Sequence, residues 1–232
     1  MQARKAHSLI SQVYDPRNLA RAWERVKENR GAGGVDGVTI ARFEQDRGRY
    51  LGLLHAKLKD GSYRPRPVRR VEIDKPGSTA KRPLGIPTVV DRVCQQALVQ
   101  VLEPIFEPTF REESFGFRPG RLAHMAMRRI WGQLQAGATW VVDADIADFF
   151  GTLSHDLLVG LVAERVADGK VLGLLWQFLE AGVLRDGRFE PTLTGVPQGV
   201  WSARCSATCI CTSSTRRWQW LATALPGTPM IG

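Results

Sequence analysis

Leu19, Trp23 and Val26 follow one another at spacings of four and three behind an Asp15-Pro16 pair, which supplies an N-cap and a proline at the first helical position. A helix is therefore expected from about 16 to 29. The stretch Gly31-Ala32-Gly33-Gly34-Val35-Asp36-Gly37 cannot prolong it, because four glycines in seven residues cost too much backbone entropy. A second apolar pattern through Ile40, Phe43, Tyr50, Leu51, Leu54 and Leu58 predicts a further helix beyond that loop. Val68 to Asp74 alternates as a strand, Lys75-Pro76-Gly77-Ser78 breaks it, and Arg82 to Pro87 leads on extended, since Pro83 and Pro87 forbid a helix. The result is a basic hairpin.

Helices are expected from Asp91 to Phe106, ended by Pro108, and from Leu122 to Leu134. Trp140 to Ile146 is β-rich and reads as a short buried strand with carboxylates emerging at its end. Ser154 can cap a helix running through Leu157, Leu158, Leu161, Val162 and Val166, Val171 to Leu179 supplies another, and Arg185-Asp186-Gly187-Arg188 reads as a hairpin turn. After Gly199 the periodicity stops: Val200 to Gly232 holds no Asp or Glu and three of the seven Trp.

Composition narrows the classes. The 232 residues are 44% apolar and 24% charged, which is ordinary for a chain that buries a core. No uncharged apolar run approaches the roughly 18 to 20 residues of a membrane span. Met1 to Tyr14 is too polar for a secretory leader, so a cytoplasmic chain is expected. A net charge of +9 favours a polyanionic partner, through release of condensed counterions. Cys205, Cys209 and Cys211 crowd into the tail without a fourth ligand at zinc-like spacing, which argues against a metal site there. The glycine loop has no preceding strand and no Lys-Ser/Thr ending, which argues against a phosphate-binding P-loop.

Candidate chemistry centres on acids. Asp143 and Asp145 are two apart and share a face if they lie in a strand, and Asp148 could approach from the following turn. Converging carboxylates bind hard divalent cations, although acids at a helix entry also serve as caps. Phe149-Phe150 reads either as core or as a pair beside a bound nucleotide. Lys75 and Arg82 flank the hairpin turn, either as solvated charge or as a triphosphate clamp. Gly116-Phe117-Arg118-Pro119-Gly120-Arg121 suits a backbone-tracking nucleic-acid contact and equally an ordinary turn.

Four segments in order carry a resemblance. They are Arg82-Pro-Leu-Gly-Ile-Pro-Thr-Val-Val-Asp-Arg-Val-Cys-Gln-Gln-Ala97, Ser114-Phe-Gly-Phe-Arg-Pro-Gly-Arg121, Asp143-Ala-Asp-Ile-Ala-Asp-Phe-Phe150 and Gly195-Val-Pro-Gln-Gly199. Together they resemble the fingers and palm motifs of bacterial group II intron reverse transcriptases with maturase function. The resemblance covers roughly residues 8 to 199.

It implies an α+β, right-hand polymerase fold: helix-rich, with short antiparallel strands, fingers and an incomplete palm. It divides the chain into an N-terminal helical extension (1–60), fingers (61–135), a partial palm (136–199) and a tail (200–232). It implies Asp145 as the catalytic, metal-binding acid, with the Ile146 carbonyl supporting Mg2+. Phe150, or less favourably Phe149, becomes the sugar gate. Lys75 and Arg82 hold the incoming triphosphate, Gln198 and Gly199 line the nascent base pair, and Arg118 and Arg121 contact nucleic acid. The implied partners are group II intron RNA and a DNA primer or target, with no membrane. A retron or diversity-generating reverse transcriptase is the alternative within this resemblance, and a non-catalytic RNA-binding fragment the alternative outside it.

There are departures. The Lys75 to Arg82 turn is one residue longer than the usual spacing, and Gly151 stands where the family usually has Asp. Tyr-Ala-Asp-Asp, the thumb and the RNA-binding X domain are missing. The codons of Ala203 to Thr215, read one nucleotide out of phase, can encode Pro-Leu-Leu-Ser-Asn-Leu-Tyr-Leu-His-Glu-Leu-Asp, which resembles the missing segment. The tail is therefore expected to be an irregular, out-of-frame read-through, and the chain alone is expected to be inactive.

Overall fold

A computed structural model describes residues 5–74, 77, 79, 81–116, 118–141 and 148–196; of Arg82 and Phe149 it describes the backbone alone. Helix α1 (Ile10–Val13) leads into α2 (Pro16–Glu28). Asp15 caps α2 by accepting the amides of Arg17 at 2.8 Å and Asn18 at 3.3 Å, and Pro16 sits where no amide is needed. The apolar face of α2 buries Leu19, Ala22, Trp23 and Val26.

The single helix expected from Ile40 onward is two helices, α3 (Ile40–Gln45) and α4 (Arg47–Asp60). They break at Asp46, whose backbone leaves the helical region at φ −113° and ψ 27°. Apolar spacing ran through the break because Trp23 stacks on Phe43 at 4.3 Å and Phe43 on Tyr50 at 4.7 Å, so both helices feed one aromatic column.

Helix α5 (Val89–Phe106) is the central element, beginning two residues before its expected start because the Thr88 hydroxyl caps it by accepting the Asp91 amide at 3.1 Å. Pro104 is tolerated near its end, and Pro108 lies in a short 3-10 turn. Asn18 crosses from α2, donating to the carbonyls of Val13 and Ala97 at 3.1 Å each. That amide ties α1, α2 and α5 together.

The expected hairpin forms as β1 (Val68–Asp74) and β2 (Lys81–Ile86), antiparallel in the register Arg69 with Ile86 through Asp74 with Lys81. Helix α6 (Ala123–Gln135) follows and buries none of its residues. Trp140 and Val141 are exposed and lie outside any strand, which corrects the buried-strand reading for those two positions. Helix α7 (Phe149–Thr152) is a single turn, and α8 (His155–Ala163) starts at the predicted Ser154 cap. It stops three residues short of Val166, which instead forms a parallel bridge to Ala6.

Helix α9 (Gly169–Leu179) is capped by Asp168, and the last hairpin is β3 (Val183–Arg185) with β4 (Arg188–Glu190). The sheet order is β2-β1-β3-β4, with β1 and β3 parallel through Val68 and Val183. A hairpin expected with the palm thus extends the sheet of the fingers. One hydrophobic core runs from Leu9 to Val196. No helix among the described residues is long and apolar enough to cross a membrane.

Candidate functional site

The described parts of three motif segments meet around one cleft of about 240 Å³. Strand β2 brings Pro83, Leu84 and Gly85, strand β1 brings Arg70, the α7 turn brings Asp148, Phe150 and Gly151, and the following loop brings Gly195 and Val196. The Val196 amide donates to the Phe150 carbonyl at 2.7 Å, and the Gly195 amide to the Leu153 carbonyl at 2.8 Å. His155, buried beneath, bonds the Gly195 carbonyl through Nε2 at 2.7 Å.

Gly195 is required at this junction. Its φ is +78°, and a Cβ would stand 2.6 Å from the Gly151 carbonyl oxygen and 2.8 Å from that of Phe150. Asp148 also adopts a left-handed backbone, φ 46°, a conformation that Asp tolerates better than most residues. A Cβ at Gly151 would meet the Asp148 carboxylate, 2.1 Å away, a clash that a rotation of that side chain can relieve.

Of the expected site residues, Phe150 faces the cleft and is partly buried against the core. The Arg82 backbone sits in β2 opposite Ile73. Lys75, Asp143, Asp145, Ile146, Gln198 and Gly199 lie outside the described residues, as do Cys205, Cys209 and Cys211. Cys94 is buried in α5, where burial pushes its thiol well above the ordinary range. Among the described residues no group of three or more His, Cys, Asp or Glu is placed to hold a metal ion. Asp148 is the single carboxylate among the described residues lining the cleft.

Arg118, expected to contact nucleic acid, is engaged within its own loop. Its side chain is 5% exposed and grips Glu107 at 2.7 Å, while Nη1 donates to the carbonyls of Arg111 and Ser114. It also packs over the Phe110 ring. The guanidinium braces its own loop. Arg121 lies over Phe115, donates to the Glu112 carbonyl at 3.2 Å, and remains half exposed.

Arg70 was not singled out by the sequence, although it occupies the cleft wall. Its Nη1 lies 3.8 Å from Glu190, while its buried Nε has no hydrogen-bond partner. Strand alternation could have placed it on one face with Glu72, but not opposite a hairpin more than a hundred residues away.

The glycine loop is held to the same scaffold. Arg69 Nη2 donates to the Gly33 carbonyl at 2.9 Å, and Arg92 donates to the carbonyls of Arg30 and Ala32 at 3.0 and 2.7 Å. Gly34 approaches so closely that a Cβ would lie 2.6 Å from the Thr88 amide nitrogen.

A hairpin-bearing helical scaffold that closes over a turn following acidic residues is the fingers-and-palm arrangement of a nucleic-acid polymerase. The reverse transcriptase (RNA-dependent DNA polymerase) family matches residues 73–219, and the chain belongs to that family. It is 38% identical over 180 residues to the group II intron-encoded protein LtrA of Lactococcus lactis subsp. cremoris, covering 77% of this chain and 29% of that protein. It is 38% identical over 197 residues to protein YkfC of Escherichia coli (strain K12), covering 82% of this chain and 51% of that one. The chain thus spans between about a third and half of these relatives' lengths. A solved partial Cas6-RT-Cas1–Cas2 complex shares the fold at a TM-score of 0.60 and 18% identity, over 90% of this chain and 34% of that one.

Proposed function

We propose that this chain is the fingers and first palm portion of an RNA-directed DNA polymerase of the group II intron type. The observation that carries the reading is the cleft itself: Pro83 to Gly85, Phe150, and Gly195 with Val196 come from three separate motif segments and line one cavity. Residues 1–60 form its N-terminal extension, 61–135 the fingers, and 136–199 a partial palm that lends β3 and β4 to the fingers sheet.

In this reading Asp145 and the Ile146 carbonyl hold Mg2+, which supplies charge neutralisation at the transferring phosphoryl group when bound. Lys75 and Arg82 orient the triphosphate, and Phe150 discriminates at the sugar. Gln198 and Gly199 bear on the nascent base pair, and Arg121 on the nucleic-acid backbone. The substrates are deoxynucleotides, an RNA template and a DNA primer, and the RNA partner is an intron.

Two-metal phosphoryl transfer takes carboxylates from two places in the chain, and the 232 residues contain no Tyr-Ala-Asp-Asp and no acid after Glu190. The polypeptide alone is therefore expected to be silent in RNA-templated primer extension with Mg2+ or Mn2+. Extension abolished by Asp145→Ala would overturn that incompleteness while keeping the family role. A second reading, an RNA-binding fragment without catalysis, is favoured by the +9 charge. Salt-dependent RNA binding without nucleotide incorporation distinguishes it.

A further inference from the structure

We propose that a second pocket, sharing no residue with the Phe150 cleft, takes one unstacked nucleotide of a single-stranded RNA. The proposal deepens the polymerase reading and rests on it. The pocket encloses about 370 Å³, within the range of small-ligand sites, and lies between α4 and the linker that enters β1. Helix α4 presents Tyr50, Leu53, Leu54 and Lys57 to it, at offsets of three, four and seven residues along one helical face. Tyr50 is held by its stack on Phe43, so an aromatic and aliphatic wall stands ready without an ordering cost.

Cations flank that wall, Lys57 from α4 itself and Arg64 and Arg66 from the linker across the pocket. Lys57 and Arg66 line the pocket, are exposed, and enter no ion pair among the described residues. Arg64 lines it as well, with its Nη1 donating to the Gly61 and Tyr63 carbonyls. The floor is a closed hydrogen-bonded cluster. The Tyr63 hydroxyl donates to Asp91 Oδ1 at 2.5 Å, the Thr88 hydroxyl to Oδ2 at 2.7 Å, and the Arg66 amide to Oδ2 at 3.3 Å.

That cluster fixes the Arg66 backbone while leaving its guanidinium in solvent. The acids facing the pocket are Asp91, consumed by these donors, and Asp36, whose Oδ1 accepts the Val38 amide at 3.1 Å. A rigid apolar wall flanked by two exposed cations, Lys57 and Arg66, matches a base and its flanking phosphates. A nucleotide inside a duplex cannot present its base this way, which selects single strands. An acidic peptide would use the cations but not the aromatic wall.

The test uses the full chain with a labelled twelve-nucleotide single-stranded RNA, the same sequence as a blunt RNA duplex, and polyglutamate as competitor. Affinity is measured across a salt series. Lys57→Ala and Arg66→Ala should each lower the salt slope by about one, whereas Lys59→Ala, on the far face of α4, should leave it unchanged. Tyr50→Leu should weaken single-strand binding about tenfold with the slope intact, the loss expected for one stacked base. Leu53→Ser, at a half-exposed position, repeats that measurement without touching the aromatic column. Equal losses for Lys57→Ala and Lys59→Ala, no effect of either wall variant, or equal competition by polyglutamate would overturn the pocket alone. Absence of RNA binding by the unmodified chain at low salt would overturn the pocket and the nucleic-acid reading together.

Discussion

The amide of Val196 donates to the carbonyl of Phe150 at 2.7 Å, so the turn carrying the sugar-gate candidate and the loop leading to Gln198 are bonded main chain to main chain. Gly195 makes that bond possible. Gly195→Ala should therefore destabilise the fold by about 1 to 3 kcal/mol, combining left-handed strain with the displaced carbonyls. Gly187 has nearly the same φ, +77°, with no atom near its would-be Cβ. Gly187→Ala should cost only the smaller strain part, and urea denaturation of the two variants separates crowding from backbone conformation.

The two arginines of the Arg118 to Arg121 turn should behave oppositely. Arg118→Ala removes a donor from Glu107 and from the carbonyls of Arg111 and Ser114, of which Arg111 keeps the Ser114 amide, and a loss of about 1 to 3 kcal/mol is expected in thermal or urea unfolding. Arg121→Ala should leave stability within about 0.5 kcal/mol and lower the salt slope of RNA binding by about one. A slope change from Arg118→Ala in a fully folded sample would contradict its bracing role.

Two carboxyls should shape the acid limb of stability with opposite signs. For Asp168, burial acts to raise its carboxyl, but the amides of Ile10, Val171, Leu9 and Lys170 outweigh it and hold the group below its usual 3.8. Its contribution is complete above that value and is lost as pH falls through the folded value. For Asp91, burial pushes the carboxyl above 3.8, against the hydrogen bonds from Tyr63, Thr88 and the Arg66 amide. The folded chain then holds its proton more tightly than the unfolded one, so stability falls as pH rises from 3.8 through the folded value. Urea unfolding between about pH 3 and 7 should show Asp168→Asn losing the acid-side decline and Asp91→Asn losing the opposing fall.

The tail makes a prediction outside the protein. If residues after about 200 are read out of frame, the nucleotide sequence past the Gly199 codon, shifted by one, should encode a leucine-rich palm helix and, further on, Tyr-Ala-Asp-Asp. The shift would have to fall between the Gly199 and Ala203 codons, although the family match itself runs on to residue 219. An intact single frame through it would refute the proposal.

Much of this fold was legible because local chemistry agreed with it. Asp15-Pro16, Ser154 and Pro83 of β2 each do in three dimensions what their type dictates nearby. What escaped was set by partners distant in sequence. Asp168 caps α9 as its type suggests, yet its other oxygen accepts the Ile10 amide at 2.9 Å, which no spacing announces. The parallel pairing of β1 with β3 and the burial of Arg118 are likewise tertiary. The Thr88 cap of α5 was not read from the sequence, and the second role of Asp91 under Tyr63 depends on how the linker folds back. In the cleft, motif order pointed to Phe150, while Arg70 became visible only once β1 had its neighbours.

The most direct test joins residues 1–199 of this chain to the remaining palm, thumb and RNA-binding portion of the Lactococcus relative and measures RNA-templated DNA synthesis with Mg2+. The account predicts synthesis that Asp145→Ala abolishes and that Phe150→Ala opens to ribonucleotides. A folded, RNA-binding chimera that makes no DNA, or one whose synthesis survives Asp145→Ala, would contradict it.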